Sequence, residues 1–114
     1  MKLDIVCNDE KYLPTYANDT DACMDLKVKI KEGTYCFLKS GETMVFGTGI
    51  QVAIPKDYVM LIFPRSSTGI KLHCMLTNTT GVIDTGYRDE IKMALTSNKF
   101  KRSSLLGVSS ASTE

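Results

Sequence analysis

The fold of this chain is constrained most by its short runs of β-branched and aromatic residues, which turn-forming residues separate. No run carries a helical stripe of useful length, and MDLKVKI alternates apolar residues with lysines, as a half-buried strand does. Short strands at regular spacing predict an all-β fold, either a sandwich or a barrel. The runs are KLDIVC, MDLKVKI, TYCFL, TMVFGTGIQVAI, YVMLIF, HCMLT and EIKMAL.

The size and charge of the chain limit the classes of protein to which it can belong. With 114 residues and 12.6 kDa it forms one domain with a modest core. Its 14 Lys and Arg against 13 Asp and Glu give a net charge of +1, which argues against a nucleic-acid partner. No apolar run approaches the roughly 18 residues of a membrane helix, and the N-terminus lacks the apolar core of a signal peptide. We therefore expect a cytoplasmic protein without membrane contact.

The four cysteines, Cys7, Cys23, Cys36 and Cys74, lie at wide intervals inside apolar runs. With no CxxC pattern and a single histidine, His73, they do not predict a soft-metal site. We expect free thiols that pack as small apolar side chains. We expect His73 to be a polar residue on a strand face.

The composition changes at Thr96, since eight of the nineteen residues from Thr96 onward are Ser or Thr. This change predicts two regions, a β domain over residues 1–95 and a poorly ordered or divergent tail over residues 96–114. Leu105, Leu106 and Val108 are bulky enough to form a short edge strand if a partner surface receives them.

Three polar islands interrupt the apolar pattern, and the second of them, PRSSTG, directly follows YVMLIF. Arg65, Ser66 and Ser67 place a guanidinium, hydroxyls and backbone N–H groups in one loop. Arginine offers a planar fork for phosphate oxygens, while hydroxyls and amides add directional hydrogen bonds. The loop is therefore a candidate phosphate site, although an ordinary polar turn also explains these residues.

The first island, ACMDL, contains Asp25 at the start of a strand-like run. Strand alternation turns its side chain away from the apolar neighbours, toward a cleft or toward solvent. Mg²⁺ accepts one or two carboxylates together with phosphate oxygens and water, so Asp25 is a candidate anchor for that ion. A surface or turn carboxylate is the simpler alternative.

The third island, NTTGVIDTGYRDEI, predicts a hairpin around Asp84, with Gly86 allowing the chain to reverse. Asp84 is either a turn-forming residue or a general base that orients a water molecule. Tyr87 could lay its ring against a sugar, where an extra hydroxyl would lack a hydrogen-bond partner.

In chain order, these islands resemble three of the five motifs of the trimeric dUTPase family: ACMDL the first, PRSSTG the second and NTTGVIDTGYRDEI the third. GTGIQVAIP and YVMLIFPRSS resemble the strands that lead into the second motif, so the resemblance covers residues 1–95. It implies an all-β, distorted jelly-roll or β-barrel-like dUTPase fold that is incomplete at the C-terminus. It also implies a dUTP diphosphatase, which hydrolyses dUTP to dUMP and pyrophosphate with Mg²⁺, and a homotrimer with sites shared between subunits.

The resemblance further implies roles for the matching residues. Asp84 would position the water that attacks the α-phosphorus, with Tyr87 beneath the deoxyribose, and Asp25 would hold Mg²⁺ through water. The other substrate contacts would be Arg65, Ser66 and Ser67 on the triphosphate, and Asn78, Lys92 and the backbone of Val82, Ile83 and Asp84 around the uracil.

The chain departs from the family pattern at Cys23 and Met24 in the first motif, at Asp89, and after about residue 96, where the fourth and fifth motifs are absent. A glycine in place of Asp89 would serve a backbone with φ > 0, and Asp89 adds negative charge near the triphosphate. Two alternatives stay open. One is a catalytically impaired module that binds a nucleotide or a protein, and the other is a relative of dCTP deaminase with Glu90 as its catalytic glutamate.

Overall fold

The computed structural model of the chain describes residues 2–31 and 33–98, together with the backbone of two short strands at 104–106 and 112–113. Strands dominate this part of the chain, with one short α-helix and a 3₁₀ turn at Glu10–Tyr12. The elements are β1 Asp4–Cys7, β2 Leu26–Lys27, β3 Cys36–Leu38, β4 Thr43–Gly47, β5 Ile50–Ala53, β6 Met60–Ile62, α1 Ser66–Ile70, β7 Cys74–Leu76, β8 Gly81–Ile83, β9 Lys92–Ser97, β10 Ser104–Leu106 and β11 Ser112–Thr113.

The strands pair in small antiparallel groups. The largest is the three-stranded sheet β4-β9-β7, in which β9 is central. The other described strands form the pairs β1 with β5, β6 with β8, β3 with β10 and β2 with β11. The predicted all-β fold is confirmed, although the described strands do not close into a barrel.

The core lies where these strand groups face one another. Along β9, Met93, Leu95 and Ser97 are buried while the residues between them are less so, because side chains alternate between the two faces of a strand. Burial of each large apolar side chain stabilises the fold by roughly 1.5–3 kcal/mol. The most deeply buried apolar residues are Val28, Leu38, Ile50, Cys74, Leu76, Ile91 and Leu95.

Most predicted strand runs are shorter in the structure, and two of them differ most from the prediction. TMVFGTGIQVAI forms β4 and β5 with a break at Thr48 and Gly49, and Gly49 has a φ of +75° that favours glycine. In MDLKVKI the ladder is limited to β2, Leu26–Lys27. The predicted alternation is nonetheless confirmed, because Leu26 and Val28 are buried and Lys29 is exposed.

Three local features differ from the prediction. Helix α1 was not predicted, since five residues are too short to display a helical period. His73 is exposed, but it precedes β7 in the left-handed region, at φ +52°, and so does not lie on a strand face. The predicted hairpin is replaced by other pairings, because β8 pairs with β6 while β9 pairs with β4 and β7.

The C-terminal segment is described only in part. Strand β9 continues to Ser97, two residues beyond the predicted boundary of the β domain. Leu105 and Leu106 pair with β3, in agreement with the predicted edge strand, whereas Val108 lies outside the described residues. The order of the remaining tail stays a prediction. None of the helices in the described part of the chain has the length and apolarity to cross a bilayer.

Candidate active site

Two of the three polar islands meet through Asp25 and Arg65. Asp25 immediately precedes β2, and its backbone N–H donates to the Thr15 carbonyl over 2.8 Å. The Arg65 Nε lies 3.7 Å from Asp25 Oδ1, and the Asp25 side chain is 19% exposed. A carboxylate and a guanidinium, the two charged groups predicted for metal and phosphate, therefore share one surface.

The second island forms the start of α1. Arg65 is the residue before the helix, and its carbonyl accepts a hydrogen bond from Thr68 N over 3.0 Å. Ser66 is exposed and Ser67 is half-buried in the first turn. The serine hydroxyls therefore follow the Arg65 guanidinium directly along the chain.

The third island turns sharply at Asp84. The Tyr87 backbone N–H donates to the Asp84 carbonyl over 3.1 Å, which closes a tight turn directly after β8. Both the Asp84 carboxylate and the Tyr87 side chain are exposed. Gly86 does not have a positive φ, so the chain reverses without the left-handed conformation that glycine permits.

A groove of about 390 Å³ lies beside β8. Its lining includes Asn78, Val82, Ile83 and Lys92, which are the residues predicted to surround a base. Apolar side chains from β4, β6, β7 and β9 complete the wall, namely Val45, Ile62, Leu76 and Met93. The groove thus combines an amide side chain with an apolar lining, which is typical of small-molecule sites.

Glu90 is hydrogen-bonded to the connection between β4 and β5, a contact that the sequence does not predict. Its Oε2 accepts a hydrogen bond from Gly49 N over 2.9 Å, and its backbone carbonyl accepts one from Tyr87 Oη over 2.7 Å. A larger cavity of about 660 Å³ lies beside Glu90, and none of the predicted site residues lines it. These bonds give Glu90 a structural role that the deaminase alternative does not explain.

The predicted site residues therefore form two clusters within one chain. Asp25 and Arg65 form one, with Ser66 and Ser67 adjacent in α1. The other comprises the groove residues, with Asp84 and Tyr87 in the turn that follows Ile83. Neither Asp25 nor Arg65 lines the groove.

The departures from the family pattern are accommodated locally. Asp89 does not have a positive φ, so the expected left-handed conformation is absent and aspartate replaces glycine there without that strain. Cys23 and Met24 are half-buried and line an apolar pocket with Leu26 and Met60. A small thiol and a flexible thioether suit an irregular apolar pocket.

The thiol pKa values of Cys36 and Cys74 lie above the ordinary value. Burial raises the pKa of the Cys36 thiol, and the nearby Glu42 carboxylate raises it further. Burial also raises the pKa of Cys74, with a smaller contribution from Cys36. Cys36 Sγ donates to Met44 Sδ over 3.4 Å. All four cysteines are free, and Cys74 is the buried one, so the predicted free thiols are confirmed.

Comparisons with known proteins agree with the resemblance. The sequence model of the dUTPase family matches residues 9–103. The deoxyuridine 5'-triphosphate nucleotidohydrolase of Francisella tularensis subsp. holarctica is 40% identical over 98 residues, which cover 82% of this chain and 65% of that enzyme. The chain thus spans less than two thirds of that relative's length.

Solved structures show the same fold. The dUTPase from Streptococcus mutans superposes with a TM-score of 0.80 at 22% identity, over 99% of this chain and 91% of that one. A mutant dUTPase from phage phi11 of S. aureus, whose structure details the coordination of a structural Mg(II) ion, has a TM-score of 0.70 at 28% identity. That match covers 88% of this chain and 62% of the phage chain.

Proposed function

This chain belongs to the dUTPase family, and on that premise we propose that it hydrolyses dUTP to dUMP and pyrophosphate. The proposal goes beyond family membership, because the chain matches only part of the length of its relatives. The observation that carries it is the groove beside β8, where Asn78, Val82, Ile83 and Lys92 come together next to Asp84.

The groove suits a nucleobase. Its volume of about 390 Å³ lies within the roughly 300–1,000 Å³ of small-molecule sites. Ile62, Val82 and Ile83 offer apolar surface to a planar ring, and Asn78 offers an amide donor and acceptor for its edge. A cytosine in place of uracil reverses donors and acceptors, and the polar groups left unpaired penalise the wrong base.

Asp84 acts as the general base. Its carboxylate accepts a proton from a water molecule as the water oxygen forms a bond to the α-phosphorus. The bond from the α-phosphorus to the oxygen that bridges to the β-phosphorus breaks, and pyrophosphate leaves. The exposed position of Asp84 directly after the groove supports this role, because water reaches the carboxylate. A positioned base contributes ~10²- to 10⁴-fold to the rate.

Arg65, Ser66 and Ser67 bind the triphosphate. The guanidinium of Arg65 is 42% exposed, so phosphate oxygens can reach it beside Asp25. The hydroxyls of Ser66 and Ser67 add directional donors.

Mg²⁺ fits Asp25 as a partner of the triphosphate. Among residues 2–31 and 33–98, no cluster of three or more His, Cys, Asp or Glu side chains could hold a metal ion. Mg²⁺ retains several waters and takes one or two carboxylates plus phosphate oxygens. The single carboxylate of Asp25 would therefore be enough to hold the ion beside a bound triphosphate. Held there by Asp25, the ion would supply charge neutralisation on the polyphosphate.

The complete site forms between copies of the chain in a homotrimer. Two observations support this assembly. The Asp25 and Arg65 cluster and the groove are separate in one chain. In addition, Leu61 and Val82 are cross-strand partners on β6 and β8, yet they are 45% and 58% exposed, as expected of a face that another subunit covers.

Pyrophosphate release from dUTP, with dCTP, dTTP and UTP in parallel, tests the proposal on the full chain and on the Asp84→Asn variant. We expect selective, Mg²⁺-dependent release from dUTP and its loss in the variant. Ammonia release from dCTP would instead identify a deaminase. Nucleotide binding without release would leave the binding module as the function, and no binding would exclude both.

A further inference from the structure

The cavity of about 660 Å³ beside Glu90 is separate from the groove, because the two share no lining residue. Three lysines line this cavity, namely Lys11, Lys29 and Lys31. We propose that it is a second anion site, which binds a small molecule that carries a phosphate group. The site goes beyond the proposed function and does not depend on it.

The chain from Val28 to Lys31 places two of these lysines on the same side. Val28 is buried and Ile30 is half-buried, whereas Lys29 and Lys31 are exposed. Such alternation is typical of an extended segment, in which residues two positions apart project to the same side, about 6–7 Å from each other. The Lys29 backbone N–H donates to the Gly47 carbonyl over 2.7 Å, which fixes the segment beside β4. Both side chains therefore line the cavity from one wall.

The Tyr12 ring lies next to two of the ammonium groups. Lys11 Nζ lies 5.2 Å and Lys29 Nζ 5.8 Å from the ring centroid, and Tyr12 is only 8% exposed. The face of an aromatic ring attracts a cation, so the ring stabilises both lysines at the cavity. A Cβ on Gly49 would lie 3.1 Å from Lys29 Cδ. The lysine stem thus packs against backbone that carries no side chain, which keeps its ammonium group near the ring.

The cavity is also lined by two acidic residues, but both of their carboxylates already have partners. Asp9 accepts a hydrogen bond from Lys11 N over 3.1 Å, and its Oδ2 lies 3.7 Å from Lys11 Nζ. The Glu90 carboxylate accepts a backbone hydrogen bond over 2.9 Å. Within residues 2–31 and 33–98, Lys29 and Lys31 form no ion pair. A phosphate group, which carries a charge of about −1.5 to −2 at pH 7, would balance these two cations.

The volume of the cavity suits a ligand larger than phosphate alone. It lies within the roughly 300–1,000 Å³ of small-molecule sites. Asn8 and Gln51 add amide groups to the wall, and a bond of 2.9 Å from Gln51 Nε2 to the Arg88 carbonyl fixes the second of them. Such amides offer donors and acceptors to the organic part of a ligand. A nucleoside monophosphate is therefore a suitable probe for the site.

Amide chemical shifts of the full chain test the site during titration with inorganic phosphate and, separately, with AMP, at constant ionic strength. We expect saturating shifts at the backbone amides of Tyr12, Lys29 and Gly49. Lys29→Met and Lys31→Met should each raise Kd about tenfold, which corresponds to about 1.4 kcal/mol. Methionine keeps an unbranched apolar stem against the wall but carries no charge, so the change in Kd reports the lost cation.

Lys56→Met is the matched control, because Lys56 is exposed in the turn before β6 and does not line the cavity. Its Kd should equal that of the wild type. Arg65→Ala should also leave the shifts at Tyr12, Lys29 and Gly49 unchanged, since Arg65 belongs to the proposed triphosphate site. The two variants thus distinguish the cavity from general surface charge and from the site for dUTP.

Each outcome decides for or against the anion site. Tighter binding of AMP than of phosphate supports a nucleotide-sized ligand, and equal affinities support recognition of the phosphate group alone. The absence of saturating shifts at the three amides with both probes overturns the site. An equal rise of Kd in Lys56→Met and Lys29→Met also overturns it, because general surface charge then explains the binding.

Two further results are distinguishable. If Lys29→Met does not fold, Lys31→Met decides, and an unchanged Kd in that variant overturns the site. A wild type that binds AMP in the cavity but releases no pyrophosphate from dUTP overturns the proposed function and leaves the anion site intact.

Discussion

Gly49 should tolerate a side chain less well than two other glycines of the chain, Gly41 and Gly86. Gly49 and Gly41 both lie in the left-handed region, with φ of +75° and +78°, whereas Gly86 does not. A Cβ on Gly49 would lie 3.1 Å from Lys29 Cδ and 3.5 Å from Tyr12 Cγ. A Cβ on Gly41 or Gly86 would meet no atom within 4 Å. Alanine substitutions at the three positions therefore distinguish the cost of a left-handed backbone from the cost of side-chain crowding.

The expected magnitudes follow from these differences. A left-handed backbone costs an L-residue roughly 1–2 kcal/mol, and the loss of glycine entropy in the unfolded chain returns about 0.4–1 kcal/mol. Gly41→Ala should therefore lower the free energy of unfolding by roughly 0.5–1 kcal/mol. Gly49→Ala should cost about 1–2 kcal/mol, because the exposed Lys29 side chain must also shift. Gly86→Ala should be neutral or slightly stabilising.

Urea unfolding of the three variants and the wild type at pH 7 measures these differences. Gly49→Ala should destabilise the protein more than Gly41→Ala does. Adding Lys29→Ala to Gly49→Ala should remove this additional destabilisation, because Lys29 Cδ is the atom in the tightest contact. If Gly86→Ala destabilises as much as Gly41→Ala, positive φ is not the cause of the cost. If Lys29→Ala leaves the excess unchanged, the contact with Lys29 is not its source.

Three further predictions concern the site, the thiols and the core. Asp25→Asn should raise the Mg²⁺ concentration needed for half-maximal dUTP hydrolysis, with stability changed by less than about 1 kcal/mol because its pair with Arg65 is partly exposed; Mg²⁺ titration and urea unfolding check both. Raised pKa values make Cys36 and Cys74 slow to alkylate at pH 8, and since folding favours the neutral thiols, the free energy of unfolding should fall as pH rises above the ordinary thiol pKa of 9.0. Thr48→Val should lower the free energy of unfolding by about 0.5–1.5 kcal/mol in the same assay, since its buried hydroxyl donates over 2.7 Å.

The strands could be predicted because they depend on local sequence, whereas the roles of the site residues stay predictions. Alternation of apolar and polar residues predicts which face of a strand is buried, as Leu26, Val28 and Lys29 show. The polar islands predicted which side chains could act on a nucleotide. Neither signal specifies which strands pair, however. The sequence predicts a hairpin around the turn after Ile83, whereas β8 pairs with β6.

The role of Glu90 could not be predicted because its partners are distant in sequence. Gly49 lies 41 residues away, and nothing in GYRDEI indicates that its carboxylate reaches a backbone N–H there. The Glu90 carboxylate also lies where a Cβ on Gly47 would be, and this contact is visible only once β4 and β9 are paired. Helix α1 escaped prediction for a different reason, since five residues give too little periodicity to recognise.

The separation of the two clusters follows from how each is attached to the fold. Asp25 is held at the start of β2, and Arg65 is held where β6 leads into α1, so their pairing depends on the domain's own packing. The groove instead depends on β8 and β9, which are not paired with each other and contact different neighbours. Strand β6 nevertheless links the two clusters, because it pairs with β8 at the groove and leads into Arg65, so a substitution in β6 should disturb both. The proposed dUTP hydrolysis needs both surfaces at one triphosphate, and the proposed contacts between subunits would supply the alignment that one chain lacks.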